Sequence, residues 1–139
     1  MTLPKIQSDP GGEIEISIQK FLIDYFFPGT SSVQNGNELI VKYELNDPDW
    51  KATYTIGIFL KAFKEPKVWV LQPDIKPTLS IHMYQDKSLC LFHRTDFRIF
   101  EKISLARQIL PWTIEWVHFY ELWLVNGNIW KGKEIGHGL

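Results

Sequence analysis

Cys90 is the single cysteine of this 139-residue chain, and its surroundings decide whether it can act as a nucleophile. A thiol suits acyl transfer because it is intrinsically nucleophilic and leaves as a stable thiolate. The residue lies in segment 82–92, HMYQDKSLCLF. If 89–92 is extended, Leu89 and Leu91 point to one side and Cys90 and Phe92 to the other, so one face can be core while the thiol stays reachable. Gln85, Asp86, Lys87 and Ser88 are polar turn material, and His82 stands far enough upstream for the chain to bend and return beside the sulfur. A positive charge from His82, Lys87, His93 or Arg94 would raise the thiolate fraction at neutral pH. His93 and Asp96, just past Cys90, are the acid/base candidates for orienting or deprotonating an incoming amine; both fit equally well as a surface residue and a helix cap. His82, Cys90 and His93 are also metal-ligand types, yet three ligands without a paired C-x-x-C fall short of a zinc site, so no metal and no cofactor are expected.

These residues need a scaffold, and the chain supplies the pieces in order. Pro10, Gly11 and Gly12 form a turn at the start of a first helix, with Ile14, Ile18, Phe21, Leu22 and Tyr25 at helical spacing and an end near Pro28 and Gly29. That apolar face is expected to pack on a sheet. Residues 29–37 are rich in Ser, Asn and Gly and read as a loop. Segments 38–45, 50–63 and 67–71 are rich in β-branched and aromatic residues and read as three strands. The short linkers NDPD and KEP exclude a crossover helix, so the strands form an antiparallel meander. In the second strand Ala52, Tyr54, Ile56, Ile58 and Leu60 make one apolar face.

Pro73 and Pro77 remove ladder donors and end the sheet, which leaves the Cys90 segment in loop structure. Beyond it, Phe97, Phe100, Ile103, Leu105, Ala106, Ile109 and Leu110 include a helix face over 97–110 with Asp96 as its cap, and Pro111 opens a second helix over 112–125. That second helix is apolar around most of its cylinder. It is expected to lie between the sheet and the C-terminal tail, the sharper alternative being a homodimer or partner interface with Trp and Tyr anchors. The tail, 126–139, fits no phosphate-binding glycine pattern, so the chain is not expected to adenylate a carboxylate.

Bulk composition narrows the class. At 16.3 kDa the chain is one domain's worth, 1–139, able to bury roughly 68% of its unfolded surface. Fifteen basic residues against sixteen acidic ones, with no basic run, argue against nucleic acid as a partner. One cysteine makes no internal disulfide, MTLPKIQSDPGG has no signal-peptide pattern, and no apolar run reaches the ~18 residues of a membrane span; a cytoplasmic protein is predicted.

The same residues carry a family resemblance. His82, a short polar turn, then Leu89, Cys90 and Leu91 resemble the active-site segment of ubiquitin-conjugating (E2) enzymes. Together with LPWTIEWVHFYELWLVNGNIWKG downstream, HMYQDKSLCLF is similar to the prokaryotic E2-like proteins of CBASS antiphage operons, over about Asn37 to Gly132. The resemblance implies an α+β, ubiquitin-conjugating-enzyme-like (UBC) fold: N-terminal helix, antiparallel β-meander, active-site loop and two C-terminal helices. It implies a transferase that takes a protein C-terminal carboxyl as a thioester on Cys90 and passes it to an amine. The implied partners are a cGAS-like nucleotidyltransferase as modifier, a separate activating protein and target lysines; in other E2s the first helix helps bind the activating protein, whereas here that helix has only Lys20 of the basic residues that mark the contact. Where eukaryotic E2s carry His-Pro-Asn, this chain departs from the pattern and reads His82-Met83-Tyr84; Tyr84 is the candidate for the donor otherwise given by the Asn amide, and it fits equally well as a ring packed under the loop with its hydroxyl on backbone. His82 is implied to be architectural before it is chemical, and His137 has only a loose claim. The alternative is a noncatalytic UBC-fold binding module in which Cys90 is inert.

Overall fold

The computed structural model describes residues 10–92 and 103–132. Helix α1 (Pro10–Phe26) is followed by strands β1 (Ser31–Asn35), β2 (Glu38–Leu45), β3 (Tyr54–Lys61) and β4 (Lys67–Gln72). A 3-10 turn (Leu79–Ile81), a π-helical turn (Leu105–Ile109) and helix α2 (Leu110–Val125) complete the order. The strands form one antiparallel meander, β1-β2-β3-β4.

The meander has four strands where three were expected. Ser31–Asn35 pairs with β2 from Ser31↔Lys42 to Asn35↔Glu38, across a two-residue turn in which Gly36 takes φ 64°. Serine and asparagine are poor strand formers, but pairing with an apolar neighbour overrides that preference at a sheet edge. The second expected strand begins later, at Tyr54. Its inward face is the expected one: Tyr54, Ile56, Ile58 and Leu60 are buried beside Leu39, Val41 and Leu45 of β2.

Helix α1 has the expected span and the opposite orientation. Ile14, Ile18, Phe21 and Tyr25 are exposed, Phe21 at 66%, whereas Ile16 and Ile23 are fully buried and Leu22 is half-buried against the core. Two buried polar residues explain the reversal. Gln19 donates to the Ile103 carbonyl at 2.5 Å and accepts from the Leu105 amide at 3.0 Å, and Glu15 accepts from Gln19 at 3.2 Å. A polar side chain satisfying two buried backbone groups belongs inside, and Ile16 and Ile23 lie on its side of the cylinder. On the β1 side, Ser17 donates to Gln34 at 3.1 Å and Ser32 to Asp24 at 2.6 Å.

Two C-terminal helices were expected; the described residues hold one long helix. Residues 93–102, and with them the first six positions of the expected helix over 97–110, lie outside the described residues. Its final part, Leu105–Ile109, is a π-turn capped by the Ser104 hydroxyl and continuous with α2, the Leu110 amide bonding the Leu105 carbonyl. Pro111 does not break the run because it sits in the first turn of α2, where its missing N–H is not needed, and the wide turn before it makes room for the ring. The aromatic residues of α2 are largely spent on the core: Trp116 is buried, while Trp112, Tyr120 and Trp123 pack partly buried against it. The apolar stripe left facing solvent is on α1 instead. No helix among the described residues is long and apolar enough to cross a membrane.

Candidate active site

The segment after β4 is built to hold a hairpin. Thr78 caps the 3-10 turn, its hydroxyl accepting from the Ser80 amide at 3.2 Å. His82 follows in the left-handed region at φ 59° and reverses the chain. Trp116 of α2 donates its indole N–H to the Ile81 carbonyl at 2.8 Å, fixing this corner from below. From there the backbone runs to a tight turn at Tyr84, Gln85, Asp86 and Lys87, closed by Lys87 N–H to the Tyr84 carbonyl at 2.9 Å, and returns with Tyr84 N–H to the Ser88 carbonyl at 2.9 Å. Met83 bridges Leu89, and Cys90 N–H reaches the His82 carbonyl at 2.8 Å. The returning arm also pairs outward: Trp69 bridges Ser88, and Leu89 N–H donates to the Val68 carbonyl at 2.8 Å.

This hairpin brings two of the expected site residues together. The Cys90 thiol donates to the Tyr84 hydroxyl at 3.1 Å. His82 joins them through its backbone, while its imidazole, also buried, packs against the indole of Trp130 with ring centroids 5.1 Å apart. Lys87 does not serve the sulfur as expected; its ammonium pairs with Asp74 at 2.9 Å. His93, Arg94, Asp96 and His137 lie outside the described residues. The expectation of a reachable thiol is corrected: Leu89, Cys90 and Leu91 are all buried, Leu89 and Leu91 in the core and Cys90 at 2% exposure with the Tyr84 hydroxyl against its sulfur.

Sequence reasoning passed over Asp86 as turn material. Its carboxylate accepts from Lys67 Nζ at 2.7 Å, from the Ser88 amide at 2.8 Å and from the Ser88 hydroxyl at 2.5 Å, and its carbonyl accepts from Trp69 Nε1 at 3.1 Å. The Lys67 contact, then the two Ser88 contacts, hold its pKa down to about 2, so it is an anion at any working pH. The available signal was an Asp two residues before a Ser, a common side-chain-to-backbone turn. The partners from β4 left no trace in the spacing.

Beside the hairpin lies an open cleft of about 280 Å³. Pro66, Leu89, Leu91 and Phe92 give it apolar walls, Tyr84 lines it as well, and Glu65, Lys67 and Asp86 stand at its charged side. Among the described residues no group of three or more His, Cys, Asp or Glu is arranged to hold a metal ion.

The family model for Type II CBASS E2 proteins matches residues 19–138, a span that takes in the meander and the Cys90 hairpin. The chain belongs to the Type II CBASS E2 family. It is thus an E2-like protein of antiphage defence, and the family implies a UBC-like fold for the helix, meander and long C-terminal helix described above. No curated protein matches the chain.

Proposed function

We propose that this CBASS E2 is an acyl carrier and transferase working through Cys90. The thiolate attacks the activated C-terminal carboxyl of a modifier protein, a sulfur–carbon bond forms, and the activating protein's leaving group departs. A target lysine amine then attacks the thioester carbonyl, the carbon–sulfur bond breaks, and the electron pair returns to Cys90 as thiolate. The modifier is a cGAS-like nucleotidyltransferase of the same defence operon, and a separate protein activates it. His93 and Asp96 are the candidates to take the amine proton.

The observation that carries this reading is the Tyr84 hydroxyl 3.1 Å from Sγ. In the thioester the phenol stands beside the carbon–sulfur bond, from where its O–H can turn to the carbonyl oxygen on which negative charge develops. A donor held in place before the reaction is the efficient way to stabilise such charge. His82 acts through its backbone, anchoring Cys90. The second reading, a noncatalytic binding module, draws on the 2% exposure of Cys90 and the exposed stripe on α1.

The deciding experiment is co-expression of Cys90→Ser with the genomic neighbours, followed by intact mass, because an oxyester on serine outlasts a thioester. An adduct of a neighbour's mass at residue 90 is expected. Unmodified protein beside active neighbours, with a wild type that also carries nothing labile, would transfer the assignment to the binding module.

A further inference from the structure

The turn that presents Tyr84 is under strain. Lys87, the last residue of the turn, sits at φ 71°, where a hairpin of this shape ordinarily uses glycine. A side chain is disfavoured in that conformation, so the turn draws on support from outside. Asp86 draws that support from two directions. Through Ser88 it ties the turn to the returning arm that ends in Cys90; through Lys67 and the Trp69 indole it ties the turn to β4. Tyr84 is the first residue of this turn, and the residue opposite it across the hairpin is the same Ser88.

We propose that Asp86 is a positioning residue for acyl transfer: its carboxylate locks the turn formed by residues 84–88 onto β4 and so holds the Tyr84 phenol at bonding distance from Cys90. This rests on the thioester reading above. Asp86 touches no reacting atom itself, and its whole effect on rate runs through Tyr84. A merely structural aspartate would lower stability and leave the per-molecule rate of the folded protein unchanged.

The test is a double-mutant cycle on discharge of a preformed Cys90 adduct to a free amine. Asp86→Ala is expected to slow discharge about 100-fold, the scale of a small misplacement of a reacting group, with the KM for the amine little changed. Asp86→Asn, which keeps an acceptor for Ser88 but turns an amide NH2 towards Lys67, should recover only part of the rate, to the level of Lys67→Ala. In a Tyr84→Phe background Asp86→Ala should cost nothing more, because the group it positions is already gone. Equal, multiplying losses in the two backgrounds would overturn the proposal, as would a wild-type discharge rate in Asp86→Ala. If Asp86→Ala does not fold, Lys67→Ala carries the test: it removes the β4 tie and should slow discharge only where Tyr84 is present, and a wild-type rate would overturn the proposal. Failure of the underlying reading is visible separately, since no adduct would then form on Cys90 in the wild type.

Discussion

At Tyr84 a phenol replaces an amide, and the consequence is measurable in one substitution. Tyr84→Phe keeps the ring that shares the cleft with Leu91 and Phe92 and deletes the hydroxyl that meets the thiol. Loading of Cys90 should persist while discharge to an amine falls about 100-fold, as for loss of one oxyanion donor, in a single-turnover assay. The neighbouring Asp86 makes a prediction about acid. Its folded pKa of about 2 lies below the ordinary aspartate value, so the stability it contributes is fully present above about pH 4 and is lost as pH falls towards 2. The indole N–H of Trp69, bonded to the Asp86 carbonyl, is the natural reporter. Its NMR resonance should hold steady down to about pH 4 and move between there and pH 2.

At the scale of elements, α1 separates two kinds of apolar residue that look alike in sequence. Ile23→Ala should cost about 2–5 kcal/mol, because it empties a fully buried site, whereas Phe21→Ser on the exposed stripe should stay within about 0.5 kcal/mol; urea unfolding distinguishes them. The span of this helix could be read from its Pro and Gly boundaries, but not its orientation. Both Ile14–Ile18–Phe21–Tyr25 and Ile16–Ile23 fit helical periodicity, and the choice is made by Gln19, whose partners Ile103 and Leu105 are more than eighty residues away. The same contrast runs through the sheet. Alternation in β3 is local and was legible, whereas β1 owes its conformation to a neighbour and was not. Near Cys90 the turn was visible as polar residues and Tyr84 by its likeness to a family position. The role of Asp86 was hidden because Lys67 and Trp69 approach it from another strand. Pro111 misled for a different reason: a proline marks a boundary, and only the π-turn shows that the boundary lies inside one continuous run.

Across the whole molecule, α2 ties the two ends of the sheet region together. Glu121, buried, accepts from the Lys51 amide at 2.9 Å and from the Tyr54 hydroxyl at the start of β3, while Trp116 one turn earlier holds the Ile81 carbonyl beside the active-site hairpin. Burial, followed by the Glu121 contact, raises the Tyr54 pKa, so its phenol remains a donor throughout the working range. Glu121→Ala should therefore leave a backbone N–H and a phenol without their acceptor and cost about 1–3 kcal/mol by chemical denaturation. Because that helix also supports the corner before His82, the loss should be felt at Cys90 as faster opening of the hairpin.

The burial of Cys90 has a bearing on how this protein keeps its chemistry until it is wanted. Peroxides and small electrophiles attack thiols according to ionisation and access, and a sulfur at 2% exposure, capped by a phenol, offers little of the second. A reagent used to count free thiols would find none in the folded protein and one after unfolding. On the thioester reading proposed above, a partner that delivers a modifier to Cys90 has first to uncover the sulfur.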